Sequence, residues 1–122
     1  MSTRSEKLND VLRGVRASAP DIIGACVVSG DGFIVASVLP SEVDEDIVGG
    51  VSSSLLTIGE RIAADLMRSQ MEQTYVRSSK GYIIVSAINA EACLVLLAMR
   101  DAKLGLIFLE LKRTIAELLR HL

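Results

Sequence analysis

A long stretch with helical periodicity, Val43 to Met67, most constrains how this chain folds, because it stands between two blocks of strand-like sequence. Bulky apolar side chains recur in it every three or four residues and therefore share one face of an α-helix. This bulky row consists of Ile47, Val51, Leu55, Ile58, Ile62 and Leu66. We predict that it packs against the protein's own sheet.

A second row of mostly small residues lies beside the bulky row on the same helix. This small row consists of Gly49, Ser52, Leu56, Gly59, Ala63 and Met67. Each glycine inside a helix costs about 1 kcal/mol relative to alanine, so close approach to another backbone is the expected compensation. Two interpretations follow. Either the helix packs tightly on its own sheet, or it contacts its sheet with the bulky row and a second subunit with the small row.

Five strand-like segments flank this helix, at residues 22–29, 33–38, 72–79, 82–88 and 92–99. The short turns Gly30-Asp31-Gly32 and Lys80-Gly81 predict two hairpins, so neighbouring strands are antiparallel. The first and last segments are apolar on both faces, which predicts central positions in a sheet that is covered on both sides. Residues 72–79 are more polar, as is typical of an edge strand or of a strand that pairs with a partner.

Two further helices complete the pattern. The first contains Leu8, Val11, Leu12 and Val15, begins at a Thr3 or Ser5 cap and stops before Pro20. The last has a predicted buried stripe of Leu104, Phe108, Leu111, Ile115, Leu118, Leu119 and Leu122. Asp101 is its expected cap, and Ser41 is the expected cap of the long helix. The order α-β-β-α-β-β-β-α predicts an α/β (α+β) fold, a three-layer α-β-α sandwich with a five-stranded antiparallel sheet, as a single domain over residues 1–122.

The composition excludes several classes of protein. A net charge of −2 and a pI of about 5.4 provide no basic excess for binding nucleic acid. No apolar run approaches the roughly 18 residues that span a bilayer, and the polar N-terminus lacks the apolar core of a signal peptide, so we expect a cytoplasmic protein without membrane insertion. The mean hydropathy of +0.43 then requires burial in a core or at an oligomer interface. Cys26 and Cys93 are expected to be buried free thiols.

No arrangement of residues typical of an enzyme is present in the sequence. Asp31 suits a tight turn, and the acidic run Asp44-Glu45-Asp46 suits a helix N-terminus better than a metal site. The run Ser52-Ser53-Ser54 lacks a base, because the only histidine, His121, stands next to the C-terminus. We therefore expect no catalytic residues, no bound metal and no cofactor.

Several stretches resemble the roadblock (dynein light-chain) family. They are VSGDGFIVAS at residues 28–37, GYIIV at 81–85, ACLVLLA at 92–98 and KLGLIFLELK at 103–112. The resemblance implies dimers in which the third strand pairs with its copy and the second helices stack. It also implies a protein that acts on Ras-like small GTPases or that is a light chain of dynein motors. The bacterial Mgl-type members stimulate GTP hydrolysis by remodelling a partner GTPase, and no catalytic residue is carried over from them.

Two sets of residues are candidates for contacts with other chains. The expected homodimer interface contains the small row (Gly49, Ser52, Leu56, Gly59, Ala63 and Met67) together with Gln73, Tyr75 and Arg77. The expected partner-binding surface, for a Ras-like small GTPase, contains Glu60, Arg61, Ala64, Arg68, Gln70 and Glu72. Two alternatives stay open. One is a structural adaptor that binds no GTPase, such as a motor light chain or a sensory-complex subunit, and the other is a small-molecule sensing domain.

Overall fold

A five-stranded antiparallel sheet forms the middle layer of the computed structural model, which describes residues 3–122. The elements in chain order are α1 (Arg4–Ser18), β1 (Ile22–Ser29), β2 (Ile34–Val38), α2 (Glu45–Met67), β3 (Gln73–Ser78), β4 (Gly81–Ala87), β5 (Ala92–Met99) and α3 (Leu104–Leu118). The strands lie in the order β2-β1-β5-β4-β3. The predicted element order and sheet are therefore confirmed, with the apolar β1 and β5 inside and the polar β3 at an edge.

The two faces of the sheet carry different helices. Side chains of α1 and α3, among them Leu8, Leu12 and Leu111, join Ile84 and Leu94 of the sheet in the larger core. On the other face, Val48 of α2 packs with Cys26, Val85, Cys93 and Val95 in a smaller core. The helices thus form the outer layers of an α-β-α sandwich, and in the described part of the chain α2 is alone on its face.

The helix caps differ in part from those predicted from sequence. Thr3 caps α1 as expected, since its hydroxyl accepts a hydrogen bond from the Glu6 N–H. The prediction of Ser41 for α2 is wrong: Asp44 is the cap, and its carboxylate accepts bonds from the N–H groups of Asp46 and Ile47. A carboxylate at this position also interacts favourably with the helix dipole.

The prediction of Asp101 as the cap of α3 is also wrong. Lys103 occupies the cap position and makes no side-chain capping bond, because a turn closed by the Ala102 N–H and the Met99 carbonyl delays the start of the helix. In the predicted stripe of α3, Leu111 and Leu118 are buried, but Leu119 is exposed. Ile107 and Thr114 complete the buried face instead.

The two rows of α2 are reversed relative to the prediction. The small row faces the sheet: Gly49 and Ser52 are buried, and Leu56, Gly59 and Ala63 are half-buried. The bulky row points away from the sheet, and only Leu55 in it is half-buried. The physical reason is close packing. A Cβ atom on Gly49 would overlap the backbone oxygen of Gly32 in the β1–β2 turn, so only glycine fits there.

Candidate functional site

One side of α2 exposes a row of apolar residues, which we call the α2 strip, formed by Ile47, Val51, Ile58, Ile62 and Leu66. Their side chains are between 49% and 76% exposed although none is polar. Single exposed apolar residues are ordinary on a protein surface, but a contiguous row along one helix marks an interaction site. The strip has no titratable group, so it is suited to binding an apolar surface and not to acid–base chemistry.

The sheet edge formed by β3 is open, whereas the opposite edge is blocked. At the β2 edge, Asn9 of α1 accepts a hydrogen bond from the Ser37 N–H at 3.0 Å, and the Ser37 hydroxyl donates to Glu45 at 2.6 Å. Within residues 3–122, no side chain makes an equivalent bond to the backbone of residues 73–77. An uncovered edge strand is a ready template for pairing with another chain. The only edge open to such pairing, in this part of the chain, is therefore β3.

The pleat of β3 divides its side chains between the two faces of the sheet. Thr74 and Val76 lie opposite Val85 and Ile83, on the face that carries α2. Val76 is 48% exposed there and continues the apolar character of the α2 strip at the edge of the sheet. Sequence reasoning missed Val76, although the two-residue alternation of the strand would have placed it on that face.

The three β3 residues predicted for the dimer interface lie on the α1–α3 face. Gln73, Tyr75 and Arg77 are exposed and alternate with Thr74 and Val76. Tyr75 is already engaged within its own chain, because its ring lies 6.2 Å from that of Tyr82 and 6.1 Å from that of Phe108. The guanidinium of Arg77 stands over the Tyr82 ring at 5.9 Å.

Most of the α2 residues that were predicted for the dimer interface are likewise packed against other parts of their own chain. Gly49 and Ser52 are buried against the sheet, and a Cβ atom on Gly59 would overlap the sulfur of Met71. Met67, at the end of the helix, is 72% exposed. The side chains that α2 leaves free for a partner are those of the α2 strip, which the helical periodicity alone predicts to pack against the sheet.

Four of the six predicted partner-binding residues come together. Glu60, Ala64, Gln70 and Glu72 line one groove of about 980 Å³ between the end of α2, the start of β3 and α3. Its apolar lining includes Met71, Ile88, Phe108, Leu111 and Ile115. Arg61 lies outside the groove on the exposed surface of α2. Arg68 also lies outside it and ends the helix in a left-handed conformation with φ of 47°.

The two cysteines are free and buried, as predicted, and their environment makes them unreactive. Burial raises the pKa of the Cys26 thiol to about 12, and the neighbouring Cys93 and Glu45 add to this effect. Burial, with a contribution from Glu60, raises the pKa of Cys93 to about 11. A thiol rather than a thiolate therefore persists at neutral pH, and the thiol is the weaker nucleophile and metal ligand.

Two further properties of the described residues concern metal binding and membrane spanning. Within residues 3–122, no cluster of three or more His, Cys, Asp or Glu side chains is arranged to hold a metal ion. None of the helices in that range is both long enough and apolar enough to cross a bilayer.

Comparison with known proteins identifies the family. The family model for the Roadblock/LC7 domain matches residues 8–98, which end before α3, so the stretch at 103–112 that contributed to the resemblance lies outside the match. The uncharacterized protein MJ0310 of Methanocaldococcus jannaschii is 38% identical over 92 residues, which cover 75% of this chain and 80% of the relative.

Two solved structures show the same fold over almost the whole chain. A Roadblock/LC7 domain from Streptomyces avermitilis has a TM-score of 0.87 at 18% identity and covers 93% of this chain and 95% of its own. MglB in a tetrameric arrangement has a TM-score of 0.88 at 20% identity and covers 99% of this chain and 91% of its own. The match of the family model over most of the sequence shows that this chain belongs to the Roadblock/LC7 family.

Proposed function

We propose that this protein is a homodimeric regulator or scaffold of a Ras-like small GTPase and has no catalytic residues of its own. The observation that carries the proposal is the α2 strip. It is an exposed apolar row on the one helix that covers its face among residues 3–122, in a sheet whose β3 edge is open. Burying such a row against a copy of itself would remove from water the surface that a monomer leaves exposed. Membership of the Roadblock/LC7 family supports the choice of a small GTPase as the partner.

The spacing of the bulky row supports a two-fold partner. Its residues are separated by steps of four, four, three, four and four, which read the same in both directions about a centre between Leu56 and Thr57. In an antiparallel pair of α2 helices related by a two-fold axis at this centre, symmetric positions face each other. Ile47 would then meet Leu66 of the copy, Val51 would meet Ile62, and Leu55 would meet Ile58. We propose that this contact, with pairing of β3 strands, forms the dimer.

The GTPase partner is inferred from the family resemblance and from the surface beside the strip. The resemblance to Mgl-type regulators implies a small GTPase, and a structure of similar fold is that of MglB in a tetrameric arrangement, which supports self-association. We assign Glu60, Ala64, Gln70 and Glu72 of the groove, with Arg61 and Arg68 beside it, to the GTPase contact. The two buried free thiols suit a reducing compartment, so we place the complex in the cytoplasm.

A retention assay tests the proposal. The full chain is immobilised and presented with Ras-like GTPases encoded by the same genome, loaded with GDP or with a non-hydrolysable GTP analogue. We expect one of them to be retained in a nucleotide-dependent manner. The double variant Glu60→Lys/Glu72→Lys should lose retention, because it reverses the two acidic side chains of the groove. Glu91→Lys, an exposed acidic position outside the groove, serves as the matched control.

Three further measurements show what the result of the retention assay means. Light scattering should give twice the 13.1 kDa chain mass for the wild type and both variants. The hydrolysis rate of the retained GTPase, with and without this protein, distinguishes a stimulator from a scaffold. Retention of no GTPase in either nucleotide state would contradict the GTPase role. A dimer that instead co-purifies with an extended or helical segment of a larger protein would favour the structural adaptor.

A further inference from the structure

Charge is distributed unevenly between the layer formed by α1 and α3 and the rest of the chain. Residues 3–18 and 100–122, which contain α1, α3 and their flanking segments, hold nine of the thirteen Lys and Arg residues but only five of the fifteen Asp and Glu residues. Their net charge is +4, whereas the rest of the chain carries −6 and the whole chain −2. All nine cationic side chains are exposed. A protein with an acidic pI thus has one distinctly basic layer.

The same layer exposes leucines that the core does not use. Leu106 and Leu109 in the first half of α3 are 59% and 65% exposed, and Leu119 near its end is 47% exposed. They are interspersed on the outer surface of the helix with Lys103, Lys112 and Arg113, all exposed. A helical surface that combines basic and large apolar side chains is typical of proteins that adsorb to an anionic membrane surface.

We propose that the layer formed by α1 and α3 docks on the surface of a bilayer that contains anionic lipids, without insertion of a helix. Its cations would lie near the headgroups, and Leu106 and Leu109 would enter the boundary with the acyl chains. Charge complementarity selects this occupant, since the layer is basic while the opposite face, with α2, is acidic. The docking does not require the GTPase role and uses the face opposite to the α2 strip, and it shares Leu109 and Lys112 with the groove assigned to the GTPase.

The distribution of the charges favours a bilayer over an acidic peptide. A cleft of about 520 Å³ between the end of α1 and the first half of α3, which Leu106 and Leu109 help to line, is where a peptide would lie. Its charged residues balance, because Asp21 and Glu110 accompany Lys103 and Arg113, and Glu110 forms an ion pair with Arg113. The excess positive charge therefore does not line the cleft. It is spread over both helices, as an extended anionic surface requires.

Co-sedimentation with vesicles tests this docking. The full chain is mixed with vesicles of phosphatidylcholine alone or with vesicles in which part of that lipid is replaced by phosphatidylglycerol. We expect sedimentation with the anionic vesicles only, and its loss as salt is raised. Lys103→Glu should lower the partition coefficient about fivefold or more, since one basic residue near an anionic surface contributes about that factor. Leu106→Ser/Leu109→Ser should also lower it.

Lys80→Glu is the matched control, because it makes the same change of charge at an exposed lysine in the β3–β4 turn, outside the basic layer. It should sediment nearly as the wild type does. Circular dichroism confirms that each variant is folded. Three results would overturn the proposal: no sedimentation with anionic vesicles, equal sedimentation with neutral ones, or equal losses in Lys103→Glu and Lys80→Glu. Binding to immobilised polyglutamate without binding to vesicles would also overturn it and assign the layer to an acidic protein.

Discussion

At the scale of single residues, the small side chains of α2 are explained by packing within the chain. Gly49 lets the helix approach the Gly32 backbone, and the Ser53 hydroxyl donates to the Gly30 carbonyl at 3.0 Å in the same turn. Ser52 fits less well. It is fully buried, and its hydroxyl has no hydrogen-bond partner within the described residues. A buried hydroxyl without a partner is destabilising by about 1–3 kcal/mol.

Ser52→Ala should therefore stabilise the fold. We expect the free energy of unfolding to rise by about 1 kcal/mol, because the change removes an unpaired hydroxyl and introduces the better helix former. Urea denaturation followed by circular dichroism measures it.

Ser54→Ala separates the two contributions of that change. Ser54 lies on the exposed side of the same helix, and its hydroxyl donates to the Gly50 carbonyl at 3.0 Å. Both variants share the gain in helix propensity, whereas only Ser52→Ala removes a buried hydroxyl without a partner. If Ser52→Ala stabilises the protein no more than Ser54→Ala does, the buried hydroxyl of Ser52 does not destabilise the fold.

At the scale of elements, α2 ends at a residue that is poorly suited to the left-handed backbone conformation found there. The Arg68 N–H donates to the Ala64 carbonyl and the Ser69 N–H to the Ala63 carbonyl, which closes the helix with Arg68 at positive φ. Glycine is the residue usually found at such a position, since a side chain there is strained. Arg68 is the only residue other than glycine with positive φ among residues 3–122. An arginine kept in a strained position suits the partner contact proposed for it.

Arg68→Gly should raise the stability of the fold by about 0.5–1 kcal/mol, because glycine adopts the left-handed conformation without strain. Thermal unfolding of the purified protein measures the change. Arg68→Ala is the control, since it removes the same guanidinium but keeps a Cβ atom at positive φ. Equal stability of the two variants would refute the strain. Loss of GTPase retention in both would show that the guanidinium serves the partner.

At the scale of the whole molecule, the two faces of the sheet present different surfaces. The α1–α3 face holds the larger core and the basic outer layer, and the α2 face presents the α2 strip beside the open edge of β3. A dimer formed through the α2 strip would leave both α1–α3 layers free. The proposed self-association and the membrane docking therefore use separate surfaces, whereas the groove assigned to the GTPase shares Leu109 and Lys112 with the basic layer.

Ile58→Asp should convert the dimer into a monomer. Ile58 lies near the centre of the α2 strip and is 56% exposed, so a carboxylate there is hydrated in the monomer but would be buried without a partner in the dimer. Light scattering across a range of concentrations measures the mass, and circular dichroism confirms the fold. Leu109→Asp, at an apolar position on α3 that is 65% exposed, should remain dimeric. A dimeric Ile58→Asp variant would exclude the α2 strip as the interface.

Much of the architecture follows from local patterns in the sequence. The turn residues Gly30-Asp31-Gly32, the apolar runs of β1 and β5 and the periodicity of α2 predict the element order and the strand positions, because each depends on neighbouring residues only. The polar character of residues 72–79 likewise predicts the edge position of β3. The burial of Cys26 and Cys93 follows from the apolar strands that contain them.

What the sequence by itself did not determine is which face of α2 meets the sheet. Periodicity shows that the bulky and small rows lie on different parts of the helix, and by itself it favours burial of the bulky row. The tertiary structure decides otherwise. The β1–β2 turn and the sheet come so close to α2 that glycine and serine fit between them and isoleucine does not. The distance between packed elements is not encoded by any local pattern. The short distance here leaves the bulky apolar row exposed at the surface, where it forms the candidate site.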